Sequence, residues 1–289
     1  MLASVTEFQN WMNERADPRT RDWFLVSNPI YVIVLEIAYL YFIYSYGPRM
    51  MANRKPYNLK GIISVYNASM VIANCYFAFK LLSHSYLGGG YNFLCQRMDH
   101  SPDENSVALV TYCYWYLLIR AFDFLDTIFF VLRKKYDHIT AQHVSHHALI
   151  VLNGYIFMNI GVDGQTMLGI CMNCCIHIVM YSYYFLAMLG PRFKKYLWWK
   201  RHLTKAQIYQ HVAIILHGFI PIFYDCGYPA AYIMMMMPQG FLGLALFINF
   251  YKFAYQRKSA ADVPYYSSCV LPDTPMTSQD FDNIEQKNS

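Results

Sequence analysis

The chain has 289 residues, of which 56% are apolar and only 14% are charged, with a net charge of +5. Soluble domains average about 45–50% apolar and about 25% charged residues, so this chain has too few polar side chains to cover a water-facing surface. The composition excludes disordered, collagen-like and small disulfide-rich proteins and indicates a polytopic membrane protein. The modest net charge gives no reason to expect a nucleic-acid partner.

Seven apolar segments are each long enough to cross a bilayer as a helix, which takes roughly 20 residues. In chain order they are residues 27–47, 61–82, 106–132, 139–158, 163–190, 204–225 and 228–255. The charged residues 1–26 do not resemble a signal peptide and predict a retained lumenal segment. Residues 256–289 are polar and contain prolines, which predicts a disordered cytosolic tail. The predicted fold is all-α, with a seven-helix transmembrane domain at residues 27–255.

Basic residues alternate between the two sides of this predicted bundle. Clusters of Lys and Arg follow the first, third, fifth and seventh spans, at residues 49–60, 133–135, 192–205 and 252–258. The opposite loops contain Arg97 as their one basic residue. Because Lys and Arg concentrate in cytosolic loops, the pattern predicts a cytosolic C-terminus and an N-terminus on the other side.

Two of the eight cysteines, Cys95 and Cys226, fall in loops predicted to be non-cytosolic. Disulfides persist in the oxidising compartment that such loops face. A disulfide between these two residues would tie the loop after the second span to the loop after the sixth.

Four consecutive spans carry polar residues at helical spacing, which is costly in a membrane and indicates function. The stripes are Arg120, Asp123, Asp126 and Thr127 in the third span, His143, His146 and His147 in the fourth, Asn173, His177, Tyr181, Tyr183 and Tyr184 in the fifth, and Thr204, Gln207, Gln210 and His211 in the sixth. In the predicted topology all four stripes lie toward the cytosol although neighbouring helices are antiparallel. They predict one polar chamber open to the cytosol, with an apolar region beyond it.

Structural interpretations compete with function for most of these residues. Arg120 could form a structural ion pair with Asp123 or Asp126. The tyrosines could form an interfacial belt, the Asn and Gln side chains could bond neighbouring helices, and His202, His211 and His217 are interpreted as structural or interfacial. Three histidines at i, i+3 and i+4, joined by His177, are too many for such an explanation.

Clustered neutral imidazoles suit either a metal or acyl chemistry. Membrane di-iron desaturases and hydroxylases use three histidine boxes, whereas this chain has one HxxHH box, so its histidines could hold at most one metal. Without a metal, an imidazole acts as a general base or as a nucleophile toward a thioester. Neighbouring Asn, Gln, Tyr and Arg side chains could then stabilise an oxyanion or enolate.

Four ordered motifs resemble those of the very-long-chain fatty acid elongases, integral endoplasmic reticulum enzymes that condense an acyl-CoA with malonyl-CoA. The family's KxxExxDT, HxxHH, HxxMYxYY and TxxQxxQ match residues 120–127, 143–147, 177–184 and 204–210, and residues 132–135 and 249–251 also read like family segments. The chain departs from the family at Arg120, usually Lys, at Asp123, usually Glu, and at Gln142, usually Leu.

The resemblance implies a fold in which the last six helices form a barrel around a closed-ended acyl tunnel. It implies that His146 and His177 take part in covalent acyl transfer. It also implies a set of residues that position or polarise the reacting carbonyls: His143, His147, Asn173, Asp126 and Gln207. Further substrate-binding candidates are Arg120, Asp123, Tyr181, Tyr184, Thr204, Gln210 and Asn249, with Lys194, Lys200 and Lys252 suited to CoA phosphates.

By the same resemblance, the substrates are long-chain acyl-CoA and malonyl-CoA, with no metal and no further cofactor. It implies residence in the endoplasmic reticulum membrane, among membrane lipid and the other elongation-cycle enzymes: a 3-ketoacyl-CoA reductase, a dehydratase and an enoyl reductase. The sequence leaves the oligomeric state open, a homo-oligomer included. Candidates for the tunnel floor are Met158, Ile160, Met167, Phe223 and Met234.

Two rival functions are a metal-dependent lipid hydroxylase or desaturase, and a histidine-rich seven-helix receptor or transporter. The first would contain stoichiometric iron and consume oxygen. The second explains the spans but not the convergence of four polar stripes. Release of carbon dioxide from malonyl-CoA by the purified protein distinguishes the elongase from both.

Overall fold

A computed structural model of the protein describes residue 7 and residues 14–255, without the side chain of Lys194. The regular elements of that part are all helices and it contains no strand, so the predicted all-α class is confirmed for it. Its α-helices are α1 Pro29–Tyr41, α2 Gly47–Met51, α3 Lys60–Leu82, α4 Glu104–Phe122, α5 Phe124–Leu132, α6 Ala141–Ile160, α7 Thr166–Met188, α8 Lys200–Phe223 and α9 Ala230–Tyr255. The wider π-helical turns Phe42–Tyr46 and Ser83–Leu87 join α1 to α2 and extend α3.

Within the described residues, five helical stretches are long and apolar enough to cross a membrane. They are Pro29–Met51, Lys60–Leu87, Thr166–Met188, Lys200–Phe223 and Ala230–Tyr255. The chain is therefore a multi-pass membrane protein. The other two predicted spans are helical but more polar: the third is divided at Asp123 into α4 and α5, and α6 begins with the histidine box.

Side-chain caps define where two helices of the bundle begin. The Thr140 hydroxyl accepts a hydrogen bond of 3.2 Å from the backbone N–H of His143, so the histidine box occupies the first two turns of α6. At the start of α4, the Asp103 carboxylate accepts from the backbone N–H of Ser106 at 2.9 Å. Ser, Thr, Asp and Asn are the residues that satisfy the free N–H groups of a first turn.

The helices pack in antiparallel neighbours, α3 along α7, α8 along α9 and α4 along α6. Between them lies a core of aliphatic and aromatic side chains, which includes Leu81, Val110, Val151 and Met167. Residues 14–28, before α1, form turns in which Asp17, Thr20, Leu25 and Val26 are buried. The predicted cytosolic tail at 256–289, and most of the first 13 residues, lie outside the described residues.

Cys95 and Cys226 form a disulfide whose Cα atoms lie 5.9 Å apart. It joins the connection between α3 and α4 to the connection between α8 and α9 across 131 residues of sequence. Gln165 holds the same region, because its side-chain amide donates to the carbonyls of Leu94 at 3.1 Å and His217 at 2.8 Å. This end of the bundle is thus cross-linked both covalently and by hydrogen bonds.

We expect the double variant Cys95→Ser, Cys226→Ser to lower the free energy of unfolding by roughly 2–5 kcal/mol, the usual range for a lost native disulfide. Thermal unfolding in detergent measures the loss, and Cys75→Ser is the matched control, since that free cysteine is exposed. Two free thiols at these positions in protein isolated with thiol-blocking reagent would show that the bond does not form.

Candidate active site

An apolar cavity of about 220 Å³ runs inside the bundle, with walls from α4, α6, α7, α8 and α9. Gln142, His146 and Gln210 line one end, and Met158 and Val162 line the other. Between His146 and Met158 the cavity follows α6 for about 18 Å, at 1.5 Å per residue. The histidine therefore stands at one end of a long, mainly apolar space, although Asn153 and Thr166 add polar groups farther along its wall.

The three imidazoles of the histidine box have different surroundings. His146 lines the cavity, and its ring centre lies 6.1 Å from that of Phe247. His143 points its Nε2 at the Thr127 hydroxyl, 2.9 Å away, and its ring lies 4.3 Å from that of His147. His147 is buried, and its Nδ1 has no hydrogen-bond partner among the residues that the structure describes. Of the box, His146 is the imidazole presented to the cavity.

Arg120 is the centre of a buried polar network behind this end of the cavity. Its guanidinium donates to the side-chain oxygens of Asn173 at 3.3 Å and Asn74 at 2.9 Å. It also contacts the imidazole of His177 and pairs with the Asp123 carboxylate at 3.1 Å. Because a guanidinium is a permanent cation with donors in a fixed plane, Arg120 sets the orientation of all four partners. Arg120 and Asn173 line the cavity, whereas His177 does not.

Tyr181 extends the network toward the start of α5. Its hydroxyl lies 2.8 Å from a carboxylate oxygen of Asp123 and 2.7 Å from one of Asp126. The ring of Tyr184 packs edge-on against Tyr181, with centroids 6.0 Å apart. These four predicted site residues therefore lie together. They form the surroundings of Arg120 and do not line the cavity.

The TxxQxxQ motif is divided between the cavity and the helix interface. Gln210 is buried and lines the cavity. Gln207 directs its amide nitrogen at the sulfur of Met180, 3.8 Å away, and Thr204 lies 3.4 Å from the hydroxyl of Tyr255. The predicted CoA-binding residues Lys200 and Lys252 and the substrate-binding candidate Asn249 are exposed and lie off the cavity, while the Lys194 side chain is outside the described part.

Sequence reasoning missed two residues that hold the site. Asn74 of α3 is fully buried and binds Arg120. Tyr39 of α1 stacks on Phe124 at 3.9 Å and places its hydroxyl 3.0 Å from Thr127, the partner of His143. An amide within an apolar span could have indicated Asn74, whereas nothing in the sequence distinguishes Tyr39 from the other tyrosines.

The predicted floor of the cavity needs correction. Met158 lines the far end, and Ile160 and Met167 are buried without lining it. Phe223 and Met234 are 86% and 67% exposed, so both face away from the cavity and were wrong as floor residues. Apolar composition does not define the rotation of a helix about its axis, so the sequence could not separate a cavity face from a lipid face.

In residues 14–255, no three His, Cys, Asp or Glu side chains are grouped where they could ligate one metal ion. His177 in particular is poorly placed to bind a metal cation, because the Arg120 guanidinium lies against its ring. A permanent cation at that distance disfavours a second one through direct repulsion.

Together these features define a multi-pass, α-helical membrane protein in which a histidine stands at the polar end of a long apolar cavity. The model of the ELO family, described as the GNS1/SUR4 family, matches residues 24–263, and the chain belongs to that family. This confirms the resemblance found in the four motifs.

Several similar proteins are named as elongases. A very long chain fatty acid elongase of Aedes aegypti is 36% identical over 90% of this chain and 74% of its own. Very long chain fatty acid elongase 7 of Rattus norvegicus is 35% identical over 88% of this chain and 90% of its own. Very long chain fatty acid elongase 2 of Mus musculus is 38% identical over 88% of this chain and 86% of its own.

Proposed function

We propose that this protein is a fatty acid elongase that condenses a long-chain acyl-CoA with malonyl-CoA. Family membership and the names of its relatives support the general activity. The observation that carries the chemistry is the position of His146 on the wall of an apolar cavity, at its polar end. An acyl chain in that cavity would bury its methylene groups, a favourable term of about 0.8 kcal/mol each, and present its carbonyl to the imidazole.

In the first step a nitrogen of the His146 imidazole attacks the thioester carbonyl of the acyl-CoA. The carbon–sulfur bond breaks, CoA leaves, and its sulfur takes the proton that the imidazole loses. The product is an acyl-imidazole, which hydrolyses readily unless water is kept away. The apolar wall formed by Leu149, Ile150 and Phe247 provides that shelter.

In the second step malonyl-CoA loses carbon dioxide, and the electron pair of the broken carbon–carbon bond forms an enolate. The enolate carbon attacks the acyl group, the carbon–nitrogen bond breaks, and the imidazole recovers a proton from solvent. The balance is acyl-CoA plus malonyl-CoA plus one proton giving 3-ketoacyl-CoA, CoA and carbon dioxide. Fixed donors aimed at the developing negative charge lower such barriers, and Arg120, Gln210 and the Asn173 amide line the cavity for that role.

We further propose the setting of this reaction. Seven helices cross the endoplasmic reticulum membrane with the C-terminus in the cytosol, and the last six surround the acyl tunnel. The acyl-CoA enters from the cytosolic side, where Lys200 and Lys252 are exposed. The 3-ketoacyl-CoA product passes to the reductase, dehydratase and enoyl reductase of the cycle.

The proposed activity is tested with purified protein and malonyl-CoA labelled in its free carboxyl group. We expect labelled carbon dioxide to be released only when a long-chain acyl-CoA is present, in equal amount to the 3-ketoacyl-CoA formed. Iron and oxygen consumption are measured on the same preparation. Stoichiometric iron with oxygen uptake and no carbon dioxide would instead support a hydroxylase or desaturase.

Gly169 provides a test of the path of the acyl chain. It lines the cavity, and an added Cβ would lie 3.6 Å from the Ile214 side chain, an ordinary contact distance. We expect Gly169→Leu to extend into the cavity and to shorten the longest product, with turnover retained on short acyl-CoAs. Gly61→Leu is the control, because a Cβ there meets nothing within 4 Å. An unchanged longest product in Gly169→Leu would mean that the chain does not pass this point.

A further inference from the structure

We propose that residues 14–27, here called the cap, close the far end of the apolar cavity and limit the length of the acyl chain that it accepts. This inference rests on the proposed function, because it concerns what the cavity holds. Two sets of contacts carry it, the hydrogen bonds to the end of α6 and the ion cluster of Arg19, both at the end opposite His146.

The cap completes the C-terminal end of α6. The last four carbonyls of a helix have no partner within it. In α6, the Phe157 carbonyl accepts a hydrogen bond from the backbone N–H of Gly161, just after the helix. The next two carbonyls accept from the cap: Met158 from the Thr20 hydroxyl at 2.5 Å and Asn159 from the Asp17 backbone N–H at 2.6 Å. Met158 is the last residue of α6 that lines the cavity.

Arg19 fastens the cap to two other parts of the cavity end. Its guanidinium binds the Asp17 carboxylate at 2.6 Å, the Asp163 carboxylate at 3.2 Å and the Ser106 hydroxyl at 2.6 Å. Ser106 is in the first turn of α4. Asp163 belongs to the connection between α6 and α7, and its neighbour Val162 lines the cavity.

This ion cluster is buried, with side-chain exposures of 6% for Arg19 and 0% for both Asp17 and Asp163. Burial raises the pKa of the Asp163 carboxyl, and the Arg19 charge works in the opposite direction. Buried ion pairs contribute little net stability, but removal of one partner is strongly unfavourable. Such a cluster therefore fixes the cap in one position more than it adds to the stability of the bundle.

The cap thus acts on the cavity through Met158 and Val162. Without Arg19, the buried carboxylates of Asp17 and Asp163 lose the guanidinium between them, and the cap can no longer stay seated on α6 and α4. The cavity would then continue past Met158 toward the space that the cap occupied. An acyl chain that now stops at Met158 could grow longer.

The test is Arg19→Gln, with Arg21→Gln as the matched control. Arg21 lies two residues away, with 65% of its side chain exposed, and pairs only loosely with Asp22 at 3.7 Å. Saturated acyl-CoAs of increasing length are supplied with malonyl-CoA, and the longest product is measured. We expect Arg19→Gln to add at least one further two-carbon cycle to the longest product, with unchanged turnover on the shortest substrates, and Arg21→Gln to match the parent.

Thr20→Val is a second variant, which removes one hydrogen bond to Met158 and keeps the ion cluster. We expect it to shift the longest product in the same direction by a smaller amount. If both variants fold and keep the parent's longest product, the cap does not limit chain length and the inference is overturned.

A binding measurement separates this inference from the proposed reaction. A ligand that binds the folded state raises the melting temperature according to its affinity and concentration, and no condensation is needed. We expect the acyl-CoA chain length that gives the largest rise in melting temperature to be longer for Arg19→Gln than for Arg21→Gln. That shift without any condensation product would support the cap and refute the elongase reaction. Condensation without that shift would support the elongase reaction and refute the cap.

Discussion

The largest loss of activity is expected from His146→Ala. The condensation rate should fall by at least about 10²-fold, the lower end of what a single acid–base group contributes, because no other imidazole of the box lines the cavity. His143 is held by Thr127 and His147 is buried behind it. Condensation is measured as carbon dioxide released from labelled malonyl-CoA. Ser145→Ala is the control, since Ser145 also lines the cavity but its hydroxyl donates to the Ala141 carbonyl at 2.6 Å.

The same variant tests the covalent intermediate. With acyl-CoA alone, the parent protein should carry one acyl group on the peptide that contains His146, and His146→Ala should carry none. We expect His177→Ala to abolish condensation as well, because it removes the imidazole beside Arg120 and Asn173. Near-normal 3-ketoacyl-CoA formation by folded His146→Ala would rule out the acyl-imidazole route.

The sequence was sufficient to predict the α-helical membrane class and the cluster of polar residues, because both depend on local patterns. A 3.6-residue period places His143, His146 and His147 on one face of a helix, and in the structure the ring centres of His143 and His147 lie 4.3 Å apart. The sequence was not sufficient to show which imidazole of the histidine box meets the cavity. That depends on contacts with Thr127 and Arg120, which come from other helices.

Long-range packing also explains what the sequence did not show. The charged residues at 14–22 look like a solvated segment, yet Asp17 and Thr20 are fully buried against α6. They donate to the main-chain carbonyls of Asn159 and Met158, far along the chain, so no local pattern reveals the pairing. In the same way, the apolar residues Phe223 and Met234 gave no indication that they face outward.

The second large effect is expected from Arg120→Leu, and it concerns stability as well as activity. Arg120 is fully buried, and its removal would leave the buried carboxylate of Asp123 without a cation. Breaking a buried ion pair from one side typically costs roughly 3–5 kcal/mol. The Asn74 oxygen would also lose its Arg120 donor, whereas the Asn173 oxygen would keep the Tyr116 hydroxyl at 2.8 Å. We expect a lower melting temperature in detergent and loss of condensation.

A double-mutant cycle identifies the cause of that loss. If the unpaired carboxylate dominates, Arg120→Leu combined with Asp123→Leu should be less destabilised than the sum of the two single variants, because neither charge then remains in the core. Tyr181 would keep Asp126 as its partner at 2.7 Å, so part of the network survives in the double variant. Single-variant effects that add to within about 0.3–0.5 kcal/mol would indicate independent sites. That result would contradict the ion pair as the centre of the network and would leave the amide contacts of Arg120 as its structural role.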